Sequence, residues 1–358
     1  VSGVLKWAEV HLDRLSFNYH QVKKLAGTKE IIAIVKANAY GHGSKEIARF
    51  LEEKAGISIF GVATVEEGIE LRESGIKGEI LVMASDSSDW VKEIKAFALT
   101  PVVWNFETLK VLKDAGIPFE VKVDTGMGRL GFLKSEWSKL LAELPGARLK
   151  GVMTHFCCAE DDPEFTRFQY ESFLEIARTL RKVFKKIRVH CDNSASLRFR
   201  FSKLLTHCRV GLALYGSKPT ADYPVELKQV MEVKAKLISV KKLPANFPVS
   251  YGASYRTSAE EVVGVVAFGY ADGYPRNLSG KGYVFINGKK APLRGRVCMD
   301  MMVVSLEGCN ANVGNEVLIT GSGIGFEELS KLAGTIPYEI MCRISSRVKR
   351  IYVREQER

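Results

Sequence analysis

The hydrophobic texture of the chain changes about two-thirds of the way along. Up to residue 228, short apolar runs rich in β-branched residues alternate with amphipathic stretches of helical period. The runs lie at 31–36, 57–62, 79–83, 101–104, 119–124, 149–154, 187–191 and 207–213. Nearly continuous apolar character marks strands covered on both faces. The intervening helices carry their own start and stop signals. Ser44 precedes a helix with Ile47, Phe50 and Leu51 on one face. Thr64 and Glu67 form a capping box, Asn105 caps a helix ended by Gly116, and Ser135 opens one stopped at Pro145. Eight strand–helix units in roughly 200 residues predict a (β/α)8 TIM-type barrel; an open doubly wound sheet fits this strand count less well.

Beyond residue 228, strand-like runs follow one another at 233–240, 262–268, 283–286, 302–306, 317–319 and 348–353, separated by Gly, Pro and Asn turns. Only 327–332 and the stretch after Pro337 read as helix. The α/β barrel is therefore expected to be followed by a mainly β C-terminal domain. A further strand at 5–12 has no place in an eight-strand ring and is expected to join the β domain. The division is then 1–12 with the β domain, 13–228 as barrel and 229–358 as β domain. The edge strands and apolar positions of the β domain suggest that it packs against something, for which a second subunit is a natural expectation.

Composition changes this picture little. Hydrophobic residues are 46% and charged residues 26% of the 358, ordinary for a globular chain. No segment approaches the ~18–20 apolar residues that cross a bilayer, and the first residues lack a signal-peptide pattern. The seven cysteines are scattered and odd in number, and Cys157-Cys158 lack a C-x-x-C partner. Neither a zinc site nor a disulfide framework is indicated, and reduced thiols in a cytoplasm are expected. The formal charge of +11 raises nucleic acid as a partner, yet the basic residues are dispersed. The densest cluster, Arg181, Lys182, Lys185 and Lys186, suits an exposed helix end. Neither nucleic acid nor membrane is expected as a partner, and no metal.

Candidate chemistry begins at Lys36, which ends the first barrel run where α/β folds place their active sites. A lysine desolvated there would have a depressed pKa and a nucleophilic amine, suited to a Schiff base with an aldehyde. A lysine that merely faces water fits the stretch alone better. Larger patterns overturn that. Val35-Lys36-Ala37-Asn38-Ala39-Tyr40-Gly41-His42-Gly43 resembles the pyridoxal-phosphate attachment signature of the alanine racemases. Lys122-Val123-Asp124-Thr125-Gly126-Met127-Gly128-Arg129-Leu130-Gly131 is a second match, and others follow in order as far as Ser346.

The resemblance implies pyridoxal 5′-phosphate attached at Lys36, with Tyr40, Ser194, Gly211 and Leu212 at its phosphate. The residues themselves agree. Asn193-Ser194 after the seventh strand offer amides and a hydroxyl to an anion, and Gly211 permits close backbone approach. The family pattern sets Arg209 at the pyridine nitrogen and His155 against the ring. A guanidinium only donates hydrogen bonds, so that nitrogen would stay unprotonated and racemisation would be favoured over transamination. Arg129 is implied at the substrate carboxylate or the cofactor's phenolic oxygen. Lys122 matches a lysine that is carbamylated in many members.

In the β domain, Val249-Ser250-Tyr251-Gly252-Ala253 matches the segment bearing the second catalytic base, Tyr251. The segments around Tyr270 and Cys298-Met299-Asp300 match the active-site entrance and the carboxylate site. In the family all three reach into the neighbouring subunit's barrel. The implied activity is interconversion of L- and D-alanine by a two-base mechanism in a homodimer, supplying D-alanine for bacterial peptidoglycan. Lys36 serves one face of Cα and Tyr251 the other. Ser346 stands where some members have tyrosine, which leaves open a racemase of broader side-chain range. A non-catalytic cofactor carrier would have no use for a second base.

Overall fold

The computed structural model describes residues 3–354. Strand β1 (Lys6–His11) is followed by eight parallel strands: β2 (Glu30–Ile34), β3 (Ile59–Val62), β4 (Glu79–Val82), β5 (Leu99–Val103), β6 (Phe119–Lys122), β7 (Leu149–Met153), β8 (Arg188–His190) and β9 (His207–Val210). They pair in the order β8-β7-β6-β5-β4-β3-β2-β9. The β8–β9 seam is bridged by Thr206 N–H to the Val189 carbonyl and Arg209 N–H to the Asp192 carbonyl, both 2.9 Å. The result is a nearly closed barrel, as the alternation of apolar runs predicts.

Helix α1 (Leu12–Ala26) precedes the ring, and α2 (Ser44–Ala55), α3 (Val65–Glu73), α4 (Val91–Ala96), α5 (Phe106–Asp114), α6 (Trp137–Glu143) and α7 (Pro163–Val183) follow β2 to β7 in turn. The link from β8 to β9 departs from the expected pattern. It is a 3-10 turn (Ser196–Phe199), and α1, packed beside β2, takes up the space. The reciprocal cap of Thr64 and Glu67 on α3 is present, as is Asn105 accepting from Thr108 N–H at 2.8 Å. Two expected caps are corrected. Gly43, not Ser44, holds the cap position of α2, and the Asn38 side chain accepts from Ser44 N–H at 2.9 Å. Ser135 lies within a 3-10 turn (Lys134–Glu136) ahead of α6.

The rest of the chain supplies β10 (Met231–Leu243), β11 (Pro248–Val249), β12 (Tyr255–Arg256), β13 (Glu261–Val266), β14 (Tyr283–Ile286), β15 (Lys289–Pro292), β16 (Met302–Ser305), β17 (Glu316–Thr320), α8 (Phe326–Ala333), α9 (Pro337–Arg343) and β18 (Lys349–Val353). The larger sheet runs β15-β14-β17-β10-β1-β18, with β13 and β16 branching from the far end of β10. β1 lies antiparallel to β10 and parallel to β18 within it. At that junction Glu9 pairs with Lys234 and Glu232 with Arg14, both at 2.8 Å, around a buried His11. Among the described residues no helix is long and apolar enough to cross a membrane, and all seven cysteines are free thiols.

Candidate active site

The backbone after β2 does something no local propensity predicts. Ala37, Asn38, Ala39 and Tyr40 have φ of 50°, 54°, 54° and 51°, a left-handed turn of four consecutive non-glycine residues. Lys36 therefore does not end the strand, as its run suggested, but opens this turn two residues beyond Ile34. Such a turn costs about 1–2 kcal/mol per L-residue and persists because other groups hold it. Glu67 on α3 accepts Ala37 N–H at 2.7 Å with one carboxylate oxygen and Ala63 N–H at 2.7 Å with the other. Asn38 caps α2. Arg350 from β18 donates to the Gly41 carbonyl at 2.9 Å. A Cβ on Gly43 would sit 1.8 Å from the Tyr352 hydroxyl, so only glycine lets β18 close on the loop.

Around Lys36 gather cations from β6 and its loop, Lys122 and Arg129, and from β9, Arg209, together with His155 after β7. Burial, then the charge of Arg129, lowers the Lys36 pKa; Glu67 opposes the shift, and Arg209 adds to it. Lys122 at the end of β6 is buried, and burial followed by Arg209 and Arg129 brings its pKa down to about 8. His155, just past β7, is held well below the usual histidine range by burial and then by Arg209, Lys122 and Arg129. It is therefore neutral near pH 7. Asp124 belongs to the same loop, but its carboxylate serves the backbone, accepting from Gly126, Met127 and Arg129 N–H at 2.8–3.0 Å. That bracing sets the loop from which Arg129 projects. The charge gathered at the mouth is predominantly positive.

Arg209, buried in β9, donates through both of its terminal nitrogens. Nη1 reaches His190 Nδ1 at 2.8 Å, and Nη2 reaches the Thr154 carbonyl at 2.7 Å and His155 Nδ1 at 3.2 Å. Beside it lies a cradle. A Cβ on Gly211 would stand 2.5 Å from the Tyr40 hydroxyl, and Ser194 Oγ accepts Ala213 N–H at 3.3 Å. Leu212 is buried against the same wall. Only glycine at 211 lets the Tyr40 hydroxyl approach the backbone this closely. Asn193 is adjacent, but its side-chain oxygen caps Ser196 N–H at 2.9 Å, a local task.

The remaining residues form a second group. Tyr251 stands on a 3-10 turn beside β11, 69% exposed. With Met299 and Asp300 it lines a hollow of about 510 Å³. Among the described residues nothing hydrogen-bonds or ion-pairs Tyr251 to the Lys36 group. Tyr270 and Met301 are also exposed. Asp300 accepts from Arg347 at 2.6 Å, and Arg347 directly follows the exposed Ser346. One chain thus brings Lys36, Tyr40, Lys122, Arg129, His155, Ser194, Arg209, Gly211 and Leu212 to one barrel mouth, while Tyr251, Tyr270, Met299 and Asp300 belong to the other group.

Sequence reasoning gave His190 no role, gave Glu67 only its part in the capping box with Thr64, and passed over Glu120. His190 touches Arg209, and Glu120 in turn touches His190. A signal existed: Glu120 alternates with Lys122, and Arg188 with His190, so each pair points to the same face of a strand that is otherwise apolar.

Comparison with known proteins meets this geometry. The family model described as "Alanine racemase, N-terminal domain" matches residues 10–219, and "Alanine racemase, C-terminal domain" matches 230–352. An alanine racemase of Aquifex pyrophilus is 44% identical over 348 residues, covering 97% of this chain and 98% of its own. That of Aquifex aeolicus (strain VF5) is 43% identical over 345 residues, covering 96% and 98%. Among solved structures, alanine racemase of Clostridium difficile 630 has a TM-score of 0.93 at 32% identity, covering 100% of this chain and 98% of that one. The alanine racemase from Bacillus anthracis with bound L-Ala-P has a TM-score of 0.90 at 32% identity, covering 98% and 96%.

Proposed function

This chain belongs to the alanine racemase family, and on that premise we propose that it interconverts L- and D-alanine with pyridoxal phosphate held at Lys36. The supporting observation is the barrel mouth itself: Lys36, Lys122, Arg129 and Arg209 around a neutral His155 make a cationic bay for a phosphorylated aldehyde and a carboxylate substrate. The Tyr40–Ser194–Gly211–Leu212 cradle suits the phosphate, with Asn193 shaping the turn beside it. When bound, pyridoxal phosphate supplies the electron sink that makes the Cα hydrogen of an amino acid removable.

The chain's own residues do the rest. Arg209 can only donate, so a ring nitrogen facing it must accept and stay unprotonated. Arg129 holds the carboxylate, and a carbamate on Lys122 would give that guanidinium an anionic partner. Lys36 Nζ, its pKa lowered by burial and Arg129, moves the proton on one face of Cα. Tyr251 Oη of a second copy of the chain moves it on the other, with Met299 at the carboxylate and Tyr270 and Asp300 at the entrance. An exposed Tyr251 with no hydrogen bond to the Lys36 group among the described residues, in a patch with Met299 and Met301, favours this homodimer with shared sites. The same reading takes residues 13–228 as the cofactor barrel and joins 1–12 to the 229–358 domain.

The test is Cα–H exchange in deuterated water, read by mass spectrometry of each recovered enantiomer. L-alanine, D-alanine and L-serine are the substrates. Exchange and inversion of alanine are expected. Tyr251→Phe should remove exchange from L-alanine by about 10²–10⁴-fold while Lys36 still exchanges D-alanine with retention. Equal loss from both enantiomers would leave Tyr251 a positioning role only, and no exchange with alanine in the unmodified protein would end the proposal.

A further inference from the structure

The barrel interior holds a ladder of charge that the reaction as described does not use. From Arg209 it runs through His190 to Glu120, whose Oε2 lies 2.7 Å from His190 Nε2. Glu120 Oε1 accepts from Arg188 Nε at 2.5 Å. Arg188 then meets Glu79 bidentately at 2.7 and 2.8 Å, and Glu79 is completed by Lys150 and Thr100, each at 2.7 Å. β4, β6 and β8 are not neighbours in the ring, so these contacts cross the interior. Gly151 makes the room: a Cβ there would lie 2.5 Å from Glu120 Oε1.

The polarity of this ladder is determined. Arg209 has only N–H groups to offer Nδ1 and an ionised Glu120 only lone pairs to offer Nε2, so with both partners in place Nδ1 is bare. The single imidazole proton is then on Nε2, aimed at an ionised Glu120. Burial opposes the charge on Glu120, but His190 and the Arg188 guanidinium outweigh it and hold its pKa well below the usual carboxylate range. Burial lowers the pKa of His190 despite Glu120, which agrees with a neutral ring. Stability alone does not call for such an arrangement, since buried ion pairs are often matched by apolar packing of the same volume. What it supplies is orientation.

We propose that Glu120 is a positioning residue for Arg209, acting through His190. By fixing the Nε2–H tautomer it keeps an acceptor under Nη1, so the guanidinium presents a fixed set of donors at the barrel mouth. Without Glu120 the imidazole is free to carry its proton on Nδ1, where it would point at another donor. The proposal rests on the reading of Arg209 as the group at the cofactor's ring nitrogen, and through it Glu120 becomes a determinant of racemisation over transamination.

Two-bond ¹H–¹⁵N correlation of histidine-labelled protein, without cofactor, reads the tautomer directly, with His190→Gln to assign the signal. Wild type should show His190 with Nε2 protonated and Nδ1 bare. In Glu120→Gln the one carbonyl oxygen stays with Arg188, because a bond to a charged donor is the stronger. The amide NH₂ then faces His190, and the proton moves to Nδ1. In the holoenzyme the same variant should raise transamination relative to racemisation roughly tenfold, the scale of one hydrogen bond to a charged group. A wild-type ring protonated on Nδ1, or an unchanged tautomer in Glu120→Gln, overturns the proposal. Should that variant not fold, the wild-type spectrum decides alone. A shifted tautomer with an unchanged product ratio would keep the Glu120–His190–Arg209 linkage and refute instead the place of Arg209 at the ring nitrogen.

Discussion

Replacing Glu67 by glutamine should loosen the turn that carries Lys36, and replacing Ala37 by glycine should tighten it. One carboxylate accepts both Ala37 N–H and Ala63 N–H at 2.7 Å, one on each oxygen. Glutamine has a single acceptor oxygen, so one of these two donors must be abandoned. A hydrogen bond to a charged group is worth about 1.5–3 kcal/mol. Ala37 is exposed, so water recovers part of this and the lower figure applies. A loss of about 1.4 kcal/mol is a factor of ten in an opening equilibrium. Hydrogen exchange over residues 35–44 of the cofactor-free protein should accelerate about tenfold in Glu67→Gln. The opposite sign is expected for Ala37→Gly. Ala37 has φ 50° and ψ 48°, a conformation costing an L-residue about 1–2 kcal/mol. Against this stands the roughly 0.5–1 kcal/mol of extra freedom that glycine loses on folding. The net gain, from near zero to about 1.5 kcal/mol, slows exchange by up to roughly tenfold and partly rescues Glu67→Gln. Peptide-resolved mass spectrometry of exchange measures both. If Ala37→Gly speeds exchange tenfold, the turn is not strained at that residue. If Glu67→Gln leaves the segment untouched, the carboxylate does not hold it.

Mixing Lys36→Ala with Tyr251→Phe chains and allowing subunit exchange should restore activity from two inactive proteins; no recovery despite demonstrated exchange would place Tyr251 with its own barrel. With ¹³C-bicarbonate, a carbamate carbon signal should grow as pH rises through about 8, where the Lys122 amine loses its proton, and it should be absent from Lys122→Met. The ladder should also set acid stability. The Glu79 pKa is lowered to about 2: burial opposes this, but hydrogen bonds from Arg188 and Lys150 outweigh it. A depressed carboxyl pKa contributes stability above its unfolded value near 4.3–4.5, lost as pH falls toward the folded value. Melting temperature should therefore drop steeply between about pH 4.5 and 2. Glu79→Gln should be less stable at pH 7, because Arg188 and Lys150 lose their counter-charge, and should show a shallower acid slope. Parallel acid profiles of the two proteins would mean that Glu79 does not carry this dependence.

Much of the molecule was written locally. Apolar runs, helix caps and the change of texture near residue 228 are short-range signals, and a strand covered on both faces or a helix with one apolar stripe has few ways to bury itself. The barrel followed from that alternation, and β1 was left over by counting. The motifs around Lys36, Arg129 and Arg209 were legible as well, because each sits within a few residues of a strand end and barrel closure carries strand ends to one mouth. Tertiary structure decided what depends on partners distant in the chain. Nothing in Ala37-Asn38-Ala39-Tyr40 announces a left-handed turn; Glu67, thirty residues on, and Arg350 from β18 hold it there. The same closure that gathers the site converts Glu79, Glu120, Arg188 and His190 from scattered polar residues into one ladder, since their partners face them only across the interior of a finished ring. Pattern reports which face of a strand a side chain takes. Which charge it meets there is a property of the closed barrel.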